Sequence, residues 1–420
     1  MAVTVDGPPA RALADEPFTV VLTGLRPRGD VAIEVRLDNC LGRAWHGTFR
    51  ANADAAGVLD LATVALTGFA EPDPTALLWA VEPDGKPAPA AANAEDTRCA
   101  LTVLEGGRPV AVHEFARVFR DHGVTCTELA APVAGALYLP AGPGPHPAVM
   151  TVSGSGGGIG RAEAALLASR GFACLALAYF NYPGRPPELI DLPLEYFGQA
   201  LDWLATQPQV RAEAIAVKGN SRGGELSLLL GATFTAVRAV VAVAPSGYLW
   251  GAARAVRPDA AAWTWQGTAM RQVPLAEDQG ADQSRNVTAD GAIRLTPWFR
   301  AQLARATPEQ LADAAIPVER TGGPILILCG AADDMWPSTE LTDVVLRRTT
   351  QARFPHPVRR LAFPDAGHQI TLPYMPVRTS GVYRLGGRFA LGGTPAGTAA
   401  ACVTAWRETL AFLATTFGTP

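Results

Sequence analysis

Apolar and polar positions follow two different rhythms along this chain. Over roughly the first hundred residues, short runs at 18–22, 31–37 and 77–81 alternate in a β-like way, with Gly, Pro and Asp turns between them. A period of two suits a strand with one face in a core and one in water, so these runs predict a β-sandwich. Near residue 115 the texture changes. Apolar runs at 134–139, 148–152, 172–178, 214–217, 237–243, 325–329 and 358–363 take turns with Ala- and Leu-rich helical segments at 162–169, 194–206 and 226–232. That alternation predicts a mostly parallel sheet covered by helices on both faces. The expected organisation is a β-sandwich domain over 1–115 and an α/β domain over 116–420.

One stretch breaks the second rhythm. From 246 to 320 there is little strand signal, yet Trp250, Trp263, Trp265 and Trp298 stand among polar, Gly and Pro residues. An aromatic-rich insertion after a strand's C-terminal end is expected to form a cap over an apolar pocket. Ordinary helix packing of those rings is the alternative.

Composition narrows the partners. At 420 residues the chain exceeds the size at which one core usually stops growing, and 48% hydrophobic with 18% charged residues is ordinary for a globular protein. No run approaches the roughly 20 apolar residues of a membrane span, so no membrane insertion is expected. A net charge of −4 gives no general attraction to nucleic acid. The first twenty residues lack the pattern of an export leader. Six scattered cysteines have neither paired nor metal-ligand spacing, which suits reduced thiols in a cytoplasmic protein. No metal or cofactor is expected.

The chemistry concentrates at turns after strands. Gly219-Asn220-Ser221-Arg222-Gly223 lies between a short apolar strand and a helix, the context in which G-x-S-x-G forms a nucleophile elbow. The tight turn would lift the Ser221 hydroxyl above the sheet and aim the helix N-terminus and the Arg222 N–H at a developing oxyanion. A serine needs a base, and the base needs an orienting carboxylate. The strand at 325–329 runs into Gly330-Ala-Ala-Asp333-Asp334, where spacing alone allows either aspartate. The strand ending at Phe363 is followed by Pro364-Asp-Ala-Gly-His368, which gives His368, alone of six histidines, the placement of the base. After the strand at 148–152 comes Ser153-Gly154-Ser155-Gly156-Gly157-Gly158, whose N–H groups at 154–157 are candidates for the rest of the oxyanion hole. Ser155 also follows a strand among small residues, but the downstream acid and base fit Ser221 in the usual chain order. The glycine-rich loop lacks the Lys-Ser/Thr of a phosphate cradle.

With these residues identified, the sequence resembles, over nearly its whole length, the family of acyl-CoA thioesterases and bile acid-CoA:amino acid N-acyltransferases. The stretches that carry the likeness include Leu77-Leu-Trp-Ala-Val-Glu-Pro83, Ala176-Leu-Ala-Tyr-Phe-Asn-Tyr182, Gly219-Asn-Ser-Arg-Gly-Gly-Glu-Leu226, Gly330 to Trp336, and Gly367-His-Gln-Ile-Thr-Leu-Pro-Tyr-Met-Pro376. The resemblance implies an α/β-hydrolase domain preceded by an immunoglobulin-like β-sandwich. In the family the acid lies three residues after the glycine and three before a tryptophan, which selects Asp333. A serine nucleophile in the family accompanies hydrolysis and a cysteine accompanies transfer to amino acids, so Ser221 implies a hydrolase of acyl-CoA or another acyl thioester. Tyr179, Trp250, Trp263, Trp265, Trp298 and Trp336 are the expected acyl-binding aromatics. The rival readings are transfer of the acyl group to an amine or alcohol, an esterase or carrier-protein thioesterase of specialised metabolism, and a non-enzymatic binding module, which is disfavoured because every catalytic station is filled.

Overall fold

The computed structural model describes residues 2–85, 96–252, 260–275, 286–383 and 387–418. Two compact units emerge: Met1–Asp121 together with Leu372–Val377, and His122–Thr371 together with Arg378–Pro420.

The first unit is built of β-strands. Six form a sheet in the order Arg11–Leu13, Arg108–Val118, Asp96–Glu105, Asp30–Cys40, Arg43–Asn52, Glu82–Pro83, and three more form a second sheet, Thr4–Asp6, Val21–Thr23, Leu59–Asp60. Along Asp30–Cys40 the apolar residues Val31, Ile33, Val35 and Leu37 are buried while Glu34 and Arg36 face water, the alternation read from the sequence. The run at 77–81 departs from expectation. Ala76–Trp79 is a single helical turn, because Asp73 accepts hydrogen bonds from the Thr75 N–H (2.8 Å), the Thr75 hydroxyl (2.6 Å) and the Trp79 indole (2.8 Å), and so folds the chain into a turn before the apolar residues begin. The strand Arg108–Val118 runs through the boundary expected at 115/116. A change in apolar texture marks longer hydrophobic runs, and it does not mark the point where the chain leaves a sheet.

The second unit is an α/β domain. Its eight-stranded sheet runs in the order Thr125–Leu129, Gly135–Leu139, Ala173–Leu177, His146–Val152, Val210–Asn220, Val237–Val243, Ile325–Gly330, Val358–Phe363. The first two strands are antiparallel to their neighbours and the rest are parallel. Central strands such as Ala173–Leu177 and Ile325–Gly330 are buried at every position, whereas the edge strand Val358–Phe363 has exposed positions, Arg359 among them. Because the parallel strands all point one way, the loops at their C-terminal ends gather on one edge of the sheet. Within 246–320 the short strand Trp263–Trp265 pairs with Leu192–Pro193, and the helices Thr296–Arg305 and Pro308–Ala314 follow. Among the described residues no helix is long and apolar enough to cross a membrane.

Candidate active site

Ser221 sits where the strand Val210–Asn220 gives way to the helix Arg222–Thr233. Its backbone is held at φ +57°, ψ −121°, a strained conformation for a residue with a side chain. The turn closes because its neighbours lack a Cβ. A Cβ on Gly219 would lie 2.2 Å from the Gly223 carbonyl oxygen, and one on Gly223 would lie 2.5 Å from the carbonyl oxygens of both Val152 and Ser153. The strand, the elbow and the next strand's loop therefore meet backbone to backbone.

Three elements then converge on the hydroxyl. Three residues beyond Ile325–Gly330, Asp333 is buried and accepts the N–H groups of Met335 (2.9 Å) and Trp336 (3.2 Å) at Oδ1. Its Oδ2 faces His368 Nδ1 at 2.8 Å, and His368 Nε2 lies 2.9 Å from Ser221 Oγ. His368 is held from behind: its backbone N–H donates to the Leu391 carbonyl (2.7 Å), and Asn220 Nδ2 donates to the Ile370 carbonyl (3.0 Å). Asp334 points elsewhere, to Arg294 Nε at 3.2 Å on a half-exposed surface. His46 and His113, in the first unit, contact Asp84 and the Pro8 carbonyl instead.

The loop after His146–Val152 lies against the elbow; a Cβ on Gly154 would come within 3.3 Å of Ser221 Cβ. Gly154, Ser155 and Gly156 line a cavity shared with Ser221, Arg222 and His368. Gly157 is placed differently. Its N–H closes a turn onto the Gly154 carbonyl (3.0 Å), so it is not available to a bound oxyanion. The loop is braced at both ends: Tyr179 donates its hydroxyl to the Ser153 carbonyl (2.5 Å) and Asn181 Nδ2 donates to the Gly156 carbonyl (2.6 Å).

The cavity, about 250 Å³, is also lined by Trp250, Trp298, Phe299, Trp336 and Phe389. Phe299 meets Trp250 (4.7 Å), Trp298 (4.9 Å) and Trp336 (5.7 Å) edge to face, and the Trp336 ring stands 6.0 Å from that of His368. The other three expected aromatics have different jobs. Tyr179 is buried beside Phe197 and braces the glycine loop, Trp265 packs on Phe234 (5.7 Å), and Trp263 is buried with its indole N–H donated to Glu225 (3.0 Å). Trp263 and Trp265 stand away from the cavity because their short strand docks beside Leu192–Pro193 and packs against the core.

Glu225 escaped the sequence reading. It is wholly buried, ion-paired through Oε2 to Arg222 Nη1 (2.8 Å), and burial pushes its carboxyl up to about 7 against the opposing pull of Arg222, the Trp263 indole and the Trp250 backbone N–H. The available signal was an Arg and a Glu three residues apart in a helix whose other residues from 223 to 231 are Gly, Leu and one Ser.

Comparison with known proteins places this geometry in a family. Residues 192–419 match the family described as BAAT / acyl-CoA thioester hydrolase C terminal, and residues 15–131 match the acyl-CoA thioester hydrolase/BAAT N-terminal region. Human acyl-coenzyme A thioesterase 1 is 32% identical, covering 98% of this chain and 96% of its own length. The mitochondrial acyl-coenzyme A thioesterase 2 of Mus musculus is 31% identical over 96% of this chain and 87% of its own. Its Homo sapiens counterpart is 32% identical over 98% and 84%.

Proposed function

Because the chain belongs to the acyl-CoA thioester hydrolase/BAAT family, we propose that it hydrolyses acyl thioesters, acyl-CoA foremost, through an acyl-Ser221 intermediate. The observation that carries this reading is the unbroken chain of hydrogen bonds from Asp333 through His368 to Ser221, opening on an apolar cavity. In the proposed cycle His368 Nε2 takes the Ser221 proton as Oγ attacks the thioester carbonyl, and Asp333 Oδ2 keeps the proton on Nδ1 so that Nε2 can accept. The Arg222 N–H and an N–H from the Gly154–Ser155–Gly156 stretch face the oxyanion, each contributing a few kcal/mol in the transition state. As the tetrahedral intermediate collapses the C–S bond breaks and the sulfur takes the proton held on His368 Nε2, an easy departure for a group whose thiol has a pKa near 8.5 unaided. His368 is left neutral for the second half, which ends in the free acid. Water then adds to the acyl-enzyme with His368 as base, and Ser221 is regenerated.

The acyl group lies along Trp250, Trp298 and Trp336 in this scheme, with the described residues of the insertion over 246–320 acting as the cap; 253–259 and 276–285 lie outside the described residues. The β-rich N-terminal unit is a separate domain in it, and the protein is cytoplasmic.

Thiol release from an acyl-CoA, followed with a thiol reagent, tests the proposal together with a fluorophosphonate that labels activated serines. Wild type should release thiol and be labelled at Ser221, and Ser221→Ala should lose both. Ser155→Ala should keep both. Appearance of an N-acyl or O-acyl product in place of free acid when amines or alcohols are supplied would replace hydrolysis with transfer.

A further inference from the structure

Next to the proposed nucleophile, a buried ion pair grips one residue of the cavity wall from both sides. Arg222 Nη2 donates to the Trp250 carbonyl at 2.6 Å, and the Trp250 backbone N–H faces the Glu225 carboxylate and favours its charged form. Glu225 also takes Arg222 Nη1 at 2.8 Å and the Trp263 indole N–H at 3.0 Å. Both charged side chains are almost fully enclosed, Arg222 at 6% and Glu225 at 0% side-chain exposure. The bonds thus join the first turn of the Ser221 helix to two parts of the insertion, around Trp250 and Trp263.

Such a pair is a poor device for stability. Removing two charges from water is expensive, and apolar residues of similar volume commonly stabilise a core at least as well. Its location suggests another use. Arg222 carries a proposed oxyanion donor on its backbone and Trp250 provides a ring of the cavity wall, so one ion pair holds both.

We infer that Glu225 is a positioning residue for the reaction, holding Arg222 and Trp250 so that the oxyanion donor and the acyl-facing wall keep a fixed relation to Ser221. The inference rests on the reading of Ser221 as nucleophile and Arg222 as an oxyanion donor. Glu225 touches neither substrate nor reacting atoms. It acts through the guanidinium of Arg222 and the backbone of Trp250, and a shift of about 1 Å in such a site costs on the order of 10²-fold in rate.

The test uses the full chain and a fluorophosphonate, with the rate constant for labelling measured per folded molecule and the melting temperature recorded alongside. Glu225→Gln should lower the maximal labelling rate constant by about 10²-fold, with the half-saturating probe concentration moved less than about threefold. Because Glu225→Gln also removes a charged acceptor from the buried Arg222 guanidinium, the paired change Arg222→Met with Glu225→Leu, which leaves no buried charge, provides the decisive comparison. It should melt as high as wild type or higher and still label about 10²-fold more slowly. Wild-type labelling rates in either folded variant, or loss of the fold in both, would make the pair purely structural and overturn the inference. Failure of wild type to label at all would instead sink the catalytic reading, and this inference with it.

Discussion

Asp333→Asn is the substitution whose outcome the structure constrains most tightly. Asp333 Oδ1 is occupied by two backbone donors, Met335 N–H at 2.9 Å and Trp336 N–H at 3.2 Å, so the asparagine oxygen must take that place. The amide nitrogen then stands where Oδ2 was, 2.8 Å from His368 Nδ1, and presents a hydrogen to it. His368 responds with the other tautomer, which puts its proton on Nε2, 2.9 Å from Ser221 Oγ, and leaves no base for the hydroxyl. Flipping the amide would restore the tautomer but turn its NH2 group onto two backbone N–H donors. At about 1–3 kcal/mol for each donor left unsatisfied, that state lies about 2–6 kcal/mol up. This corresponds to roughly 30-fold to 3 × 10⁴-fold in rate, a range that includes the ~10⁴-fold cost of neutralising a triad carboxylate. Asp334→Asn loses only a half-exposed contact with Arg294, worth about 0–1 kcal/mol, and should cost less than about fivefold. The measurement is kcat/KM for acyl-CoA hydrolysis with melting temperatures for both variants. A loss below about tenfold in a folded Asp333→Asn protein, or equal losses in the two variants, would refute this account of the hydrogen-bond network.

Three further outcomes are expected. Gly223→Ala places a methyl 2.5 Å from two carbonyl oxygens, so it should destabilise by about 1–3 kcal/mol or more and abolish labelling of Ser221; normal melting with full labelling would contradict the elbow geometry. Tyr179→Phe keeps its ring contacts but drops the hydroxyl that braces the Ser153 carbonyl, and should lower turnover about tenfold with little change in melting temperature. Full activity would remove Tyr179 from the loop's support. Glu225, facing Arg222 and Tyr179, is raised from 4.5 to about 7 by burial, so between these pH values the folded chain keeps a proton that the unfolded chain releases. Its contribution to stability is therefore present at the acid end and lost as pH rises to about 7. The melting temperature of wild type relative to Glu225→Gln should fall across that window, and a rise would reverse the sign argued here.

The parts of the site legible in the sequence are those set by local rules. Ser221, Asp333 and His368 each follow an apolar strand within a few residues, and a parallel sheet brings such loops to one edge, so strand ends and glycines sufficed to nominate them. Asp333 could be distinguished from Asp334 only by family resemblance, since spacing places both at the strand's end. What escaped depends on contacts distant in sequence. Tyr179 and Trp263 looked like pocket aromatics, yet each spends its polar atom on a residue far away, Ser153 and Glu225 respectively. Gly157 looked equivalent to its neighbours until the turn onto Gly154 claimed its N–H. The helix Pro395–Phe417 had local signals, Thr394 as cap and Pro395 behind it, but its Ala- and Thr-rich face gives a weak apolar contrast. The support that Leu391 gives His368 has no signature in the chain.

Four residues after His368 the chain passes at Leu372 into the segment Leu372–Val377, which is counted with the first unit. There the Val377 N–H donates to the Trp79 carbonyl at 3.0 Å, and Tyr374 lies under the Arg117 guanidinium at 5.7 Å. The order of synthesis gives this arrangement a consequence. Domains generally fold as units, the N-terminal one first as the chain emerges. Here the first unit cannot be completed when Asp121 leaves the ribosome, because its last segment is made about 250 residues later. Leu372 and Met375, both buried in the finished protein, are supplied only then. A single cut after Asp121 therefore yields no two self-sufficient pieces: one lacks its final segment, and the other carries that segment uncovered within a few residues of the histidine.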